Sequence, residues 1–219
     1  MVLQKEIERI LLNPKNQEWL AILKGFRSGA VYGAKIRFPH ALVMTFLFRD
    51  GPIEDKVRFI LRATFQHARN LAFFATIWKT TLLVLRRLNG GKERYYDTFL
   101  AGFVGGWFIF GEDNPINQQE CDVENTSSLT TDVLPTHQIC FYLFGRVVTA
   151  YVAILQKKLQ LRTPPKAWAI FAALIWGSVM WQFRNHRDLL QPSLAASMIY
   201  IYSDSEKWTG LQNFLLYNK

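Results

Sequence analysis

Two basic residues lie inside otherwise apolar helical stretches of the chain. Lys79 falls in the apolar stretch 71–85, and Arg146 falls in the apolar stretch 139–155. A charge inside an apolar helix either lines a polar cavity that a solute could cross, or it snorkels or pairs within a helix bundle. The residues themselves leave both interpretations open.

A second group of basic residues lies near the start of the chain and consists of Lys24, Arg27, Lys35 and Arg37. At 100° per residue, Lys24, Arg27 and Lys35 fall within about 80° of one another on a helix. We expect this face to meet water or lipid headgroups. The group could equally line a cavity or form a basic cluster that recruits a membrane-insertion receptor.

No pattern of catalytic residues accompanies these charges. The four histidines, at 40, 67, 137 and 186, are scattered, and the two cysteines, Cys121 and Cys140, form no CxxC pair. This spacing predicts no metal site and no catalytic triad. The glycines at 25, 29 and 33 lie within a helical pattern rather than between a strand and a helix, so they predict no phosphate-binding loop. We therefore expect a protein that is not an enzyme and has no cofactor.

Small residues recur at a spacing of four in two predicted helices. Gly25, Gly29 and Gly33 form one stripe, and Gly102 and Gly106 form another. Glycine in a soluble helix costs about 1 kcal/mol relative to alanine. In a membrane bundle the same stripe lets two backbones approach closely. We expect the two striped helices to contact each other.

The charge distribution argues against a nucleic-acid partner. The chain carries a formal net charge of +9, yet the stretch 95–145 contains no Lys or Arg and seven acidic residues. The basic residues flank apolar segments rather than forming one stripe, which is typical of membrane anchoring. Basic loops at 86–94 and 157–166 would then face the cytosol, with the acidic stretch on the other side.

Hydrophobic periodicity predicts an all-α fold, namely a polytopic membrane bundle of about four to five short transmembrane helices striped with glycine. Amphipathic helices would lie at both termini. The predicted helices cover 17–36, 53–87, 97–111, 139–155 and 167–183. We divide the chain into an amphipathic segment 1–13, a bundle 14–185 with an acidic, disordered loop 112–138, and a C-terminal surface segment 186–219. Phe38-Pro39-His40 is expected to end the first long helix, because proline disfavours the α conformation of the residue before it.

Several stretches carry a resemblance to a known family. They are GFRSGAVYGAKIR, PHALVMTFLFR, Phe110-Gly111-Glu112, His186-Arg187, Gln191-Pro192-Ser193-Leu194 and the final FLLYNK. Together they resemble the family of peroxisomal membrane protein 4, a distant branch of the superfamily of mitochondrial inner-membrane translocase channel subunits. Residues 120–138 depart from the family pattern as an extra segment.

This resemblance implies a multi-pass protein of the peroxisomal membrane whose short helices form a curved sheet with a polar groove. The implied partners are the lipid bilayer, the import receptor peroxin-19 and further copies of the chain. Its role would be structural or adaptor-like, or that of a solute pore. The alternative is a translocase-like channel component of the mitochondrial inner membrane.

Overall fold

The computed structural model describes residues 2–111, 136–160 and 166–218, without the side chains of 2–5 and 136–146. The described residues are helical and contain no strand, which confirms the all-α prediction. The principal helices are α1 (Val2–Leu11), α2 (Gln17–Phe48), α3 (Ile53–Leu88), α4 (Asp97–Gly105), α5 (Thr136–Lys158), α6 (Ala167–Asn185), α7 (Pro192–Met198) and α8 (Leu211–Leu215). Most of the expected acidic loop, 112–135, lies outside the described residues.

The predicted helix break at Phe38-Pro39-His40 is wrong, because α2 continues through Pro39 without interruption. Proline removes one backbone hydrogen bond from a helix interior. Packing on the far side of the proline offsets that loss, since Ala41 joins Ile60 and Ala63 of α3 in a buried cluster.

Helices α2, α3, α4 and α6 pack in that order. Helix α2 lies antiparallel to α3, α3 packs on α4, and α4 packs on α6. Helix α4 continues as a π-helical turn, Gly106–Phe110, which keeps its last residues against α6. Aromatic contact at the centre of the bundle includes Phe74 of α3, which packs at a tilt against Phe110 and Trp176, with ring centroids 5.7 and 4.6 Å away.

The C-terminal segment contributes to this core. After α7 the chain continues through a π-helical turn, Ile199–Ser203, and a 3₁₀ turn, Asp204–Glu206. Ile201 and Tyr202 are buried in the central cluster, and Ser205 is fully buried. The C-terminal segment thus docks on the bundle and places several side chains in its interior.

Among the residues that the structure describes, no helix is both long enough and apolar enough to cross a membrane.

Candidate functional site

The glycine stripe of α2 places its backbone directly on α3. A Cβ atom added to Gly29 would lie 2.7 Å from the carbonyl oxygen of Leu71, and one added to Gly33 would lie 2.7 Å from the Cα of Ala68. At Gly25 the nearest atoms belong instead to the Lys79 side chain, whose Cδ and Cε would lie 2.9 Å away. The stripe therefore serves two purposes: close backbone contact along most of its length, and space for a lysine at one end.

The second stripe packs on α6 rather than on the first stripe. A Cβ added to Gly102 would lie 2.7 Å from the Trp176 carbonyl oxygen, and one added to Gly106 would lie 2.9 Å from that of Ala172. The expected contact between the two striped helices is therefore wrong. Each stripe is covered by an antiparallel partner, α3 for one and α6 for the other, and α3 lies between α2 and α4.

Lys24 is fully buried, contrary to the expected water-facing or headgroup-facing position. The C-terminal segment covers it and supplies its acceptors. Its Nζ donates to the carbonyl oxygens of Asp204 at 3.1 Å and Lys207 at 2.5 Å, and to Asn213 Oδ1 at 3.5 Å. These contacts satisfy the desolvated ammonium, which would otherwise be costly to bury.

Lys79 reaches the same segment from α3. Its Nζ donates to the Tyr202 carbonyl oxygen at 3.0 Å and lies 3.4 Å from Glu206 Oε1. The carbonyl groups at the end of a helix lack intrahelical donors and carry partial negative charge. Lys24 and Lys79, here called the lysine pair, thus supply positive charge where α7 and its two terminal turns end.

Arg27 extends this contact to the end of the chain. Its guanidinium donates to Asn218 Oδ1 at 2.6 Å, and the Ser28 hydroxyl donates to the same oxygen at 3.3 Å. Asn218 Nδ2 in turn donates to the Tyr200 carbonyl oxygen at 2.8 Å. Two stretches that carry the family resemblance, one on α2 and one at the C-terminus, therefore contact each other directly.

The remaining basic candidates do not join this contact. Lys35 is exposed on α2, whereas Arg37 is buried further along the helix. The prediction for Arg146 concerns a side chain outside the described residues. The structure thus brings together Lys24, Arg27 and Lys79.

Glu93 joins three parts of the bundle at one end. Its Oε2 accepts from Arg86 at 2.9 Å, and both of its carboxylate oxygens accept from Arg184, each at 2.9 Å. The two-pronged contact with Arg184 ties the turn after α3 to the end of α6. Sequence reasoning did not identify this carboxylate.

The outer surface carries large apolar side chains. Helix α6 turns its small residues, such as Ala172 and Gly177, inward. Several of its large apolar residues face outward, as do several on the second half of α2. We call the outward-facing set the outer apolar belt: Leu42, Val43, Phe46 and Leu47 on α2, and Ile170, Phe171, Leu174 and Ile175 on α6.

Sequence reasoning missed the acceptors of the site because most of them are backbone carbonyl groups. Any residue can supply a carbonyl, so Tyr202, Asp204 and Lys207 leave no signal in residue types. Asn218 could have been found, because it lies in the terminal stretch that carried the resemblance. In the described part of the chain, no group of three or more His, Cys, Asp or Glu side chains is arranged to hold a metal ion.

Comparison with known proteins places this geometry in context. The sequence pattern of the Tim17/Tim22/Tim23/Pmp24 family matches residues 18–120. A relative from Bos taurus called "Peroxisomal membrane protein 4" is 43% identical over 216 residues, which covers 97% of this chain and 92% of the relative. A relative of the same name from Homo sapiens is 44% identical over 201 residues, or 91% of this chain and 85% of the relative. No solved structure matches the chain.

Proposed function

Because the chain belongs to the Tim17/Tim22/Tim23/Pmp24 family, we propose that it is a multi-pass integral protein of the peroxisomal membrane with a structural or adaptor role. The location follows from the names of its relatives. The membrane role also has independent support in the distribution of its side chains.

The observation that carries this proposal is the placement of apolar and charged groups. Leu47 is 68% exposed and Phe171 is 51% exposed, whereas Lys24 is fully buried and Arg37 is 4% exposed. In water, extensive exposed apolar surface is unfavourable and lysine is almost never fully buried. In lipid, the outer apolar belt faces acyl chains and the charges are held in the protein interior.

A structural role is favoured over catalysis by how the polar groups are used. The lysine pair and Arg27 all contact the protein's own C-terminal segment. These groups therefore fix the tail on the bundle. A stably folded helical body of this kind is suited to presenting a surface to a partner.

A solute pore is the second candidate, and it is supported by polar side chains buried on the two packed helices. These residues are Ser28, Arg37 and Thr45 of α2, and His67 and Asn70 of α3. Polar groups inside a membrane bundle often mark a solute pathway. A pore predicts that Lys79→Ala or Arg146→Ala changes ion selectivity in reconstituted bilayers. Bilayers without conductance would contradict it.

We further propose that the bilayer is the principal partner and that peroxin-19 binds the chain before insertion. Lys35 is exposed on α2 and remains available to such a receptor. The predicted result is recovery of peroxin-19 with the newly made chain, weakened by Lys35→Glu. A matched exchange at an exposed lysine between helices, Lys92→Glu, should leave recovery unchanged.

A second copy of the chain is a further proposed partner. Recovery of two differently tagged copies together would support a homo-oligomer.

Imaging of the tagged chain against peroxisomal and mitochondrial markers tests the location. The proposal predicts peroxisomal rings. A mitochondrial signal would favour the alternative, a translocase-like channel component of the mitochondrial inner membrane. A diffuse signal would contradict both membrane assignments.

A further inference from the structure

A groove of about 550 Å³ opens between the start of α2 and the last third of α3. Its polar edge includes Lys15, Arg86 and Lys79, and its apolar wall includes Ile22, Leu82 and Leu83. A concave site that combines apolar residues with a few convergent polar groups is typical of small-molecule binding. Of the residues that line this groove, only Lys79 takes part in the roles proposed above.

Two neighbouring residues that line the groove each keep a hydrogen-bond donor without a partner among the described residues. Trp78 lines it, is only 2% exposed, and its indole Nε1–H has no hydrogen-bond partner among the described residues. Lys79 is 7% exposed and uses two of its three N–H groups, on Tyr202 and Glu206. A buried donor without an acceptor is costly, and no described residue accepts from these N–H groups. A bound ligand could supply the acceptor.

The charges around the groove favour an anion. Of the two carboxylates on its lining, Glu18 pairs with Arg87 at 2.9 Å and Glu206 pairs with Lys79 at 3.4 Å. The Lys15 ammonium has no such pair in the described residues. The first turn of α2 also lines the groove and adds the partial positive charge of a helix N-terminus.

We propose that this groove binds an amphiphilic oxyanion. Its carboxylate or phosphate oxygen accepts from Trp78, Lys79 and Lys15, and its apolar chain lies along Ile22, Leu82 and Leu83. The same chemistry belongs to a free fatty acid and to the headgroup and acyl chain of an anionic phospholipid. This proposal goes beyond the structural role and does not depend on where the protein is located.

Native mass spectrometry of the purified full chain in detergent tests the proposal with four probes: oleate, dioleoyl phosphatidic acid, dioleoylglycerol and inorganic phosphate. We expect saturable one-to-one binding of oleate, of dioleoyl phosphatidic acid, or of both, and the pattern identifies the source of the oxyanion. Equal binding of neutral dioleoylglycerol would overturn the oxyanion assignment. Equal binding of inorganic phosphate would overturn the requirement for an apolar chain.

Variants distinguish binding in the groove from nonspecific binding of lipid to the protein. Trp78→Phe keeps an aromatic ring against Tyr202 but removes the N–H, and Lys15→Gln removes an exposed ammonium. Each should weaken binding about tenfold, as expected for the loss of one hydrogen bond to a charged group. Trp19→Phe and Lys35→Gln change the same residue types outside the groove and should leave affinity unchanged. Unaltered affinity in Trp78→Phe and Lys15→Gln, with unfolding temperatures like that of the parent chain, would overturn the proposal.

Discussion

Gly25 of α2 lies directly over the aliphatic part of the Lys79 side chain of α3, and a Cβ at Gly25 would be 2.9 Å from both Cδ and Cε of that lysine. The absent side chain creates the passage through which Lys79 reaches the Tyr202 carbonyl oxygen. One glycine thus connects helix packing with fixation of the C-terminal segment.

Gly29→Ala should destabilise the fold more than Gly25→Ala. At Gly29 the new methyl group meets the rigid backbone of Leu71, whereas at Gly25 it meets flexible methylene groups. Overpacking of this kind costs about 1–3 kcal/mol. The upper end of that range exceeds the gain of about 1 kcal/mol in helix propensity that alanine brings. Thermal unfolding in detergent followed by circular dichroism measures the difference. Gly210→Ala, where no atom lies within 4 Å, is the control, and an equal loss there would argue against close packing as the cause.

Lys24→Met should loosen the C-terminal segment without unfolding the bundle. The change removes the Lys24 donor from the carbonyl oxygens of Asp204 and Lys207, at a cost of about 1–3 kcal/mol. We expect faster amide hydrogen exchange in 199–218 and unchanged exchange in the α4–α6 contact. Lys35→Met removes the same charge at an exposed position and should have no such effect. Unchanged exchange in the Lys24 variant would contradict the role of the lysine pair.

Asn218→Ala should produce a smaller change in the same direction. It removes the acceptor of Arg27 and the donor to Tyr200, while both lysine contacts remain. The expected result is faster exchange near residues 200 and 218 together with greater solvent accessibility of Arg27. Asn213→Ala is the comparison, because the Asn213 contact with Lys24 is long, at 3.5 Å. If Asn213→Ala had the larger effect, the assignment of Asn218 would be wrong.

Glu93→Gln should lower the unfolding temperature modestly, because Glu93 joins Arg86 and Arg184 and its side chain is only 18% exposed. Partly exposed ion pairs contribute about 1 kcal/mol or less, and salt weakens them. The difference between Glu93→Gln and the parent chain should therefore shrink as salt is raised. Glu6→Gln affects an exposed pair separated by 3.9 Å and should have no measurable effect. A salt-independent loss would indicate that packing, not charge, is responsible.

The sequence was sufficient to predict the helices and the glycine stripes, because both leave periodic signals in residue types. It did not predict which helix covers each stripe, since α3 and α6 present ordinary residues such as Leu71 and Ala172 to the glycines. The sequence also did not predict that Lys24 is buried. A helical wheel places it away from the glycines, but the segment that buries it arrives from 180 residues further along the chain. The continuity of α2 through Pro39 depended on packing at Ala41, which local propensity does not include.

The outer apolar belt is the central claim, and a nitroxide label on α6 tests it most directly. Leu174→Cys places the label at the middle of the belt, and Lys92→Cys places a control label in the turn between α3 and α4, both in a chain with Cys121→Ser and Cys140→Ser. After reconstitution in lipid vesicles, we predict that oxygen reaches the label at 174 readily and that a water-soluble nickel chelate does not. At 92 we predict the opposite, namely that the nickel chelate reaches the label readily and that oxygen reaches it less. A label at 174 that the nickel chelate reaches as readily as the label at 92 would contradict the membrane assignment.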